Sequence, residues 1–165
     1  MSEGEFRLVA NQGLSKMTTK TFAAYMRSPK FIYVYDTGVS ALMAAVFIAA
    51  AGPIADFIGW PGAVGIIHSL GVFLISWALF NYALGTAEAS ARSAVIANIV
   101  GDGLWALASI ALLLTHSSLL NGVGQALVIV QALFVAGVFV TKVRGWPALM
   151  GEAKTSSPLG KVTIS

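Results

Sequence analysis

Apolar runs constrain this chain more than any other feature. Between Phe31 and Thr141 the only Asp, Glu, Lys or Arg side chains are Asp36, Asp56, Glu88, Arg92 and Asp102. The intervals leave runs of about twenty apolar residues, enough for a helix to cross roughly 30 Å of hydrocarbon. With 57% hydrophobic and 10% charged residues and a mean hydropathy of +0.81, a water-soluble globule is excluded. The expectation is an all-α polytopic membrane protein, an antiparallel bundle of four transmembrane helices.

Span one is placed at 31–51. Its start is marked by Ser28-Pro29, where a hydroxyl can accept from first-turn amides and proline's missing donor costs nothing. Gly52-Pro53 marks its exit. Span two, 62–84, follows a segment broken by Pro53, Gly59 and Pro61. Span three, 94–115, is expected to extend backwards as helix, with Thr86 as cap, Glu88 in the first turn and a Glu88–Arg92 pair. Span four, 122–141, is expected to end at Lys142, Arg144 and the helix-breaking Gly145-Trp146-Pro147. The four spans form one domain, residues 31–144. Residues 145–165 make a flexible tail. Residues 1–30 form an N-terminal tail in which Phe22, Tyr25 and Met26, beside Lys20 and Arg27, could make an interfacial helix.

Charge sets the orientation. Alternate flanks placed on one side collect residues 1–30, 85–93 and 142–165, which hold all ten Lys and Arg. The loops 52–61 and 116–121 hold none. The positive-inside rule then puts both termini in the cytoplasm, across a bacterial-type inner membrane. Basic flanks meeting anionic headgroups account for the pI near 9.4, so no nucleic acid is implied.

The residues available for chemistry are few. There is no Cys and there are two His, which excludes disulfides, thiol catalysis and Cys-held metal centres. His68 and His116 fall near the outer ends of spans two and three, where a pH-sensing pair or plain interfacial hydrogen bonding would suit them. Gly62, Gly65 and Gly71 lack the Gly-Lys-Ser/Thr of a phosphate loop. Neither a catalytic set nor a metal site can be assembled, so non-enzymatic roles are favoured.

Two acids remain. Asp102 falls roughly 12 Å into span three, on a face with Asn98, Trp105 and Ser109. Asp36 shares a face with Tyr33 and Ser40. Since no Lys or Arg lies within the spans so drawn, the expected companions are Asn98, Ser40, Asn81, Tyr82, Gln131 or water. An unpaired carboxyl there is expected to be protonated and to donate a hydrogen bond. It could exchange that proton, or simply join helices. Because spans one and three each carry one Asp followed by small residues, the two hairpins could also be a parallel repeat.

Close-packing seams are expected where small residues recur every four positions: Ala41, Ala45 and Ala49, then Ala97 and Gly101, then Ala132 and Ala136. Trp60, Trp146, Tyr33 and Tyr82 fall near the interfaces, where amphipathic rings are favoured.

The four-span layout, the outer turn Gly52-Pro53-Ile54-Ala55-Asp56-Phe57-Ile58-Gly59-Trp60-Pro61 and the helix from Asn98 to Leu114 resemble small DoxX-like four-helix bacterial membrane proteins over about residues 31–144. The resemblance is one of layout and carries no functional residues. It implies at most a redox association, and no Cys or haem-ligand pair is present to support one. Three roles follow. The chain could be an accessory or scaffold subunit, associating with itself or with a larger membrane complex. It could be a small proton-coupled carrier using Asp102 and Asp36. It could be a redox component holding a quinone or pigment, although no residue pattern calls for a cofactor.

Overall fold

The computed structural model describes residues 26, 28–88 and 90–155, with side chains through residue 150. The anticipated interfacial helix around Phe22 and Tyr25, and the tail beyond residue 155, lie outside the described residues. Among those described, every regular element is helical: α1 (Phe31–Ala49), α2 (Ala51–Phe57), a 3-10 turn (Pro61–Ala63), α3 (Val64–Thr86), α4 (Arg92–His116), a second 3-10 turn (Ser117–Leu119) and α5 (Gly122–Thr155). Four stretches are long and apolar enough to cross a membrane: Phe31–Ala49, Pro61–Thr86, Arg92–Leu119 and Gly122–Met150.

Helix boundaries depart from the sequence reading at three places. First, the chain bends at Ala50 (φ −128°, ψ 27°) and then resumes as α2, so the expected exit at Gly52-Pro53 is helical. Pro53 stands in the first turn of α2, where an amide hydrogen would lack a helical acceptor in any case. Second, α4 begins at Arg92, with no acid in its first turn. Thr86 instead ends α3, its hydroxyl donating to the Tyr82 carbonyl at 2.8 Å. Third, α5 runs through Gly145-Trp146-Pro147 to Thr155. A proline inside a helix deprives one carbonyl, that of Val143, of its donor, and packing around Trp146 and Leu149 holds the helix beyond it. Residues 145–155 of the anticipated flexible tail are therefore helical.

The helices pair by close approach at glycine. A Cβ on Gly71 would lie 2.8 Å from Ile48 Cγ1, and one on Gly85 would lie 2.6 Å from Val34 Cγ2. The early part of α3 thus faces the late part of α1, and the late part faces the early. Helix α4 pairs with α5, where a Cβ on Gly103 would stand 3.2 Å from the Phe139 ring. Between these two hairpins the backbones stay farther apart, and aromatic rings fill the space. Phe73 stacks on Trp105 with centroids 6.0 Å apart, and the Trp77 ring lies directly against Gly101.

Each end has its own fastening. At one, Lys30 Nζ donates to the carbonyls of Ala87 and Glu88 at 2.8 and 3.2 Å, satisfying acceptors at the C-terminus of α3. Ser28 Oγ accepts from the Lys30 amide at 3.2 Å, but Lys30 is the N-cap and the helix starts at Phe31, so neither the expected cap on a first-turn amide nor Pro29 at the first helical position is found. At the other end, Asn121 caps α5 through Oδ1, which accepts from the Gly124 amide at 2.8 Å. Its Nδ2 donates to the Phe57 carbonyl at 2.8 Å and its amide to the Ile58 carbonyl at 2.9 Å. Asn121 packs on Gly59, whose φ of +80° favours a residue without Cβ.

The alanine seams fall elsewhere than expected. Ala41, Ala45, Ala49 and Ala97 are exposed, whereas Ser40 and Ala44 form the buried line of α1. Ala41 and Ala45 instead line a shallow apolar groove between α1 and α3, about 490 Å³ in volume. Gly101, Ala132 and Ala136 are half-buried, and of these Gly101 makes the tight contact, against Trp77.

Candidate functional site: a lysine between two carboxylates

The centre of the molecule is polar. On α1, Tyr33, Asp36 and Ser40 share one buried face because they are three and four residues apart. On α4, Asn98, Asp102 and Ser109 do the same, with Trp105 half-buried beside them, as their spacing predicted. Asn81 faces them from α3. Helix α5 supplies the residue that sequence reasoning missed, Lys142, which is 1% exposed.

Lys142 was expected at an aqueous boundary. It stands inside because α5 does not stop after Thr141, and because four oxygen acceptors converge on its ammonium. Nζ lies 2.6 Å from Asp36 Oδ2, 2.8 Å from Asp102 Oδ2, 2.8 Å from Asn98 Oδ1 and 2.9 Å from Asn81 Oδ1. All four long apolar helices contribute. The expectation that both acids lack a cationic partner is therefore corrected: each forms an ion pair with the same lysine. Asp102 Oδ2 accepts from that ammonium and does not donate.

The remaining bonds fix the orientation of the amides. Asn98 Nδ2 donates to Asn81 Oδ1 at 3.2 Å, and Asn81 Nδ2 donates to the Trp77 carbonyl at 3.1 Å. Both asparagines are fully buried, so each side-chain oxygen is free to face the lysine only because its nitrogen is occupied elsewhere. Ser40 Oγ donates to Asp36 Oδ1 at 3.3 Å. The Tyr33 ring covers the ammonium, with its centroid 4.9 Å from Nζ, a favourable cation–π placement.

Two accounts of this cluster decide what it can do. An ammonium has three hydrogens, so four short contacts to oxygen leave it more than satisfied. Charge is not balanced in the same way, since two carboxylates face one ammonium. With both acids ionised the cluster holds one excess negative charge in a nearly water-free interior, which costs several kcal/mol unless a further cation joins it. A proton on either oxygen facing Lys142 would weaken the bond that oxygen accepts from the ammonium. Asp36 Oδ1 beside Ser40, and Asp102 Oδ1, are the positions left for one.

The other anticipated site residues stand apart. Gln131 is half-buried on α5, and its Nε2 has no partner among the described residues. Tyr82 is exposed. His68 is exposed at the start of α3, and His116 Nδ1 lies 2.6 Å from Thr115 Oγ1 at the exposed end of α4. Trp60 and Trp146 are half-buried, and Arg92 sits over the Trp146 ring at 5.8 Å. No group of His, Cys, Asp and Glu able to hold a metal occurs among the described residues.

Fold and site together define an all-helical protein with four helices of membrane-crossing length and an ion-paired lysine among them. Comparison with protein-family models, curated proteins and solved structures finds no match.

Proposed function

We propose that the chain is a small proton-coupled carrier of the bacterial-type inner membrane, an antiparallel bundle of four spans in which the Asp36–Lys142–Asp102 cluster takes up and releases one proton. The observation that carries this reading is the sharing of one ammonium by two carboxylates. Ionisable groups at membrane depth are costly, and buried ion pairs add little stability over apolar packing, so their presence points to use. The architecture supports the reading too. Two closely packed hairpins, α1 with α3 and α4 with α5, meet across aromatic rings and this one polar hub. A change in the hub's charge alters the attraction between the halves, which is what exposing the site to alternate sides requires.

Orientation is argued from charge. With Lys142 taken into the interior, the other nine Lys and Arg still belong to the termini and the 85–93 loop. Lys30 beside Ala87, and Arg92 over Trp146, put two of these cations at one end of the bundle. Cytoplasmic termini follow from the positive-inside rule.

Reconstitution in liposomes tests the proposal. Protein-dependent proton flux driven by an imposed pH gradient, or proton-driven uptake from a panel of small solutes, is expected with the natural sequence and absent with Asp102→Asn. Equal flux in both disproves it.

A second reading has its own observation. Only 11% of the most apolar stretch of α5 is buried against the rest of the chain, which leaves a broad apolar face for lipid or for further helices. An accessory or scaffold subunit, or a homo-oligomer associating through α5, would cover it. The DoxX-like layout fits either reading, and with a bound quinone or pigment it would suit a redox component. Mass measurement of the complex extracted in mild detergent separates these readings: a stoichiometric foreign partner supports the subunit.

A further inference from the structure

The hub is closed toward the end where α1 begins by an apolar layer of Leu84, Val95 and Leu149, with Phe80, Ile99 and Trp146 packed around it. Tyr33 belongs to the same layer. It is 1% exposed, and its hydroxyl is buried with no hydrogen-bond partner among the described residues. That is unusual, because a buried hydroxyl left unpaired costs about 1–3 kcal/mol. Phenylalanine would fill the same space without that cost and would cover the ammonium almost as well.

We infer that the Tyr33 hydroxyl holds a single internal water and, with it, forms the proton path between the Lys142 cluster and the aqueous end of the bundle at which α1 begins. Polar groups separated by more than direct bonding distance inside a protein are commonly joined in this way. The charged group beside the Tyr33 ring is Lys142 on α5, with Nζ 4.9 Å from the ring centroid, and that nitrogen is held by Asp36 on Tyr33's own helix, Asp102 on α4 and the neutral Asn81 on α3. The three buried neighbours of Tyr33 in the layer, Leu84, Val95 and Leu149, have no polar side-chain atom. The hydroxyl is therefore the step by which a proton crosses it.

The transfer balances. A carboxyl of the cluster gives its proton to the internal water, the water passes one of its own to the Tyr33 oxygen, and the hydroxyl proton leaves to a water arriving from the loop side. The carboxyl becomes a carboxylate, one proton has moved outward, and tyrosine and internal water are restored. Tyr33 is a positioning and relay residue. The inference rests on the proton-binding reading of the same cluster.

The test is Tyr33→Phe in the full chain, reconstituted in liposomes, with carboxyl protonation followed by time-resolved infrared difference spectroscopy after a pH jump. The expected result is a carboxyl band of unchanged amplitude whose rise and decay slow by at least about a hundredfold, the lower end of what is lost with a general acid–base group. Unchanged kinetics overturn the relay, and the more so if thermal stability rises, because that marks the hydroxyl as a mere orphan. If the natural sequence gives no carboxyl band that Asp36→Asn or Asp102→Asn removes, the proton-binding reading itself fails, a result distinct from failure of Tyr33. An experimental structure without solvent in hydrogen-bonding contact with the Tyr33 oxygen overturns the internal water independently of any variant.

Discussion

Lys142 Nζ lies 2.6 Å from Asp36 Oδ2, tying α5 to a residue 106 positions earlier in the chain. The same nitrogen holds Asp102 at 2.8 Å, so each of the two hairpins is anchored by a carboxylate to one cation. Removing that cation leaves two negative groups facing each other without water.

Lys142→Met is accordingly expected to destabilise the protein by about 3–5 kcal/mol, the usual consequence of leaving buried charge uncompensated. Adding Asp36→Asn and Asp102→Asn to the same chain removes the charge that was left behind and should restore most of the loss. Thermal unfolding in detergent measures both. A single Lys142→Met variant as stable as the natural protein would show that the ion pairs do not form.

Asp36→Asn and Asp102→Asn, taken singly, should keep the fold. Each leaves one carboxylate for one ammonium and retains an amide oxygen at the vacated position. Proton coupling in liposomes should disappear with Asp102→Asn. Retention of full coupling in both would mean that neither acid titrates during the cycle.

Packing gives a contrast between neighbouring types of small residue. Gly101→Leu drives a side chain into the Trp77 ring and should cost about 1–3 kcal/mol, as over-packing usually does. Ala45→Leu points into the open groove between α1 and α3 and should change stability by less than about 0.5 kcal/mol. Comparable losses in both would indicate that the groove is filled, by lipid or by another helix.

Asn121→Ala removes the α5 cap and the bond to Phe57 together, and about 1–2 kcal/mol of stability should go with them. Gly59→Ala should be damaging as well, because its φ of +80° is strained for any side chain and the new Cβ would sit 3.0 Å from Asn121. Urea or thermal denaturation of the two variants checks the fastening.

The absence of Cys makes topology directly measurable. Ser118→Cys and Ser90→Cys are expected to react with membrane-impermeant thiol reagents from opposite sides, Ser118 from outside intact cells and Ser90 only after permeabilisation. Reaction of both from outside would cancel the orientation.

The sequence by itself determined how many helices could cross a membrane, because run length and apolarity are local properties. It also pointed to Asp36, Asp102, Asn81, Asn98 and Ser40, since a polar residue in an apolar run must face protein and helical spacing shows which polar residues share a face. Lys142 could not be read in this way. A lysine at the end of an apolar run looks like an interfacial anchor, and Gly145-Trp146-Pro147 looks like a stop. Whether that ammonium meets water or oxygen depends on partners 40, 44, 61 and 106 residues distant in sequence. Only the packed helices bring those oxygens to one point, and their combined attraction offsets the loss of hydration that would otherwise keep the lysine at the surface.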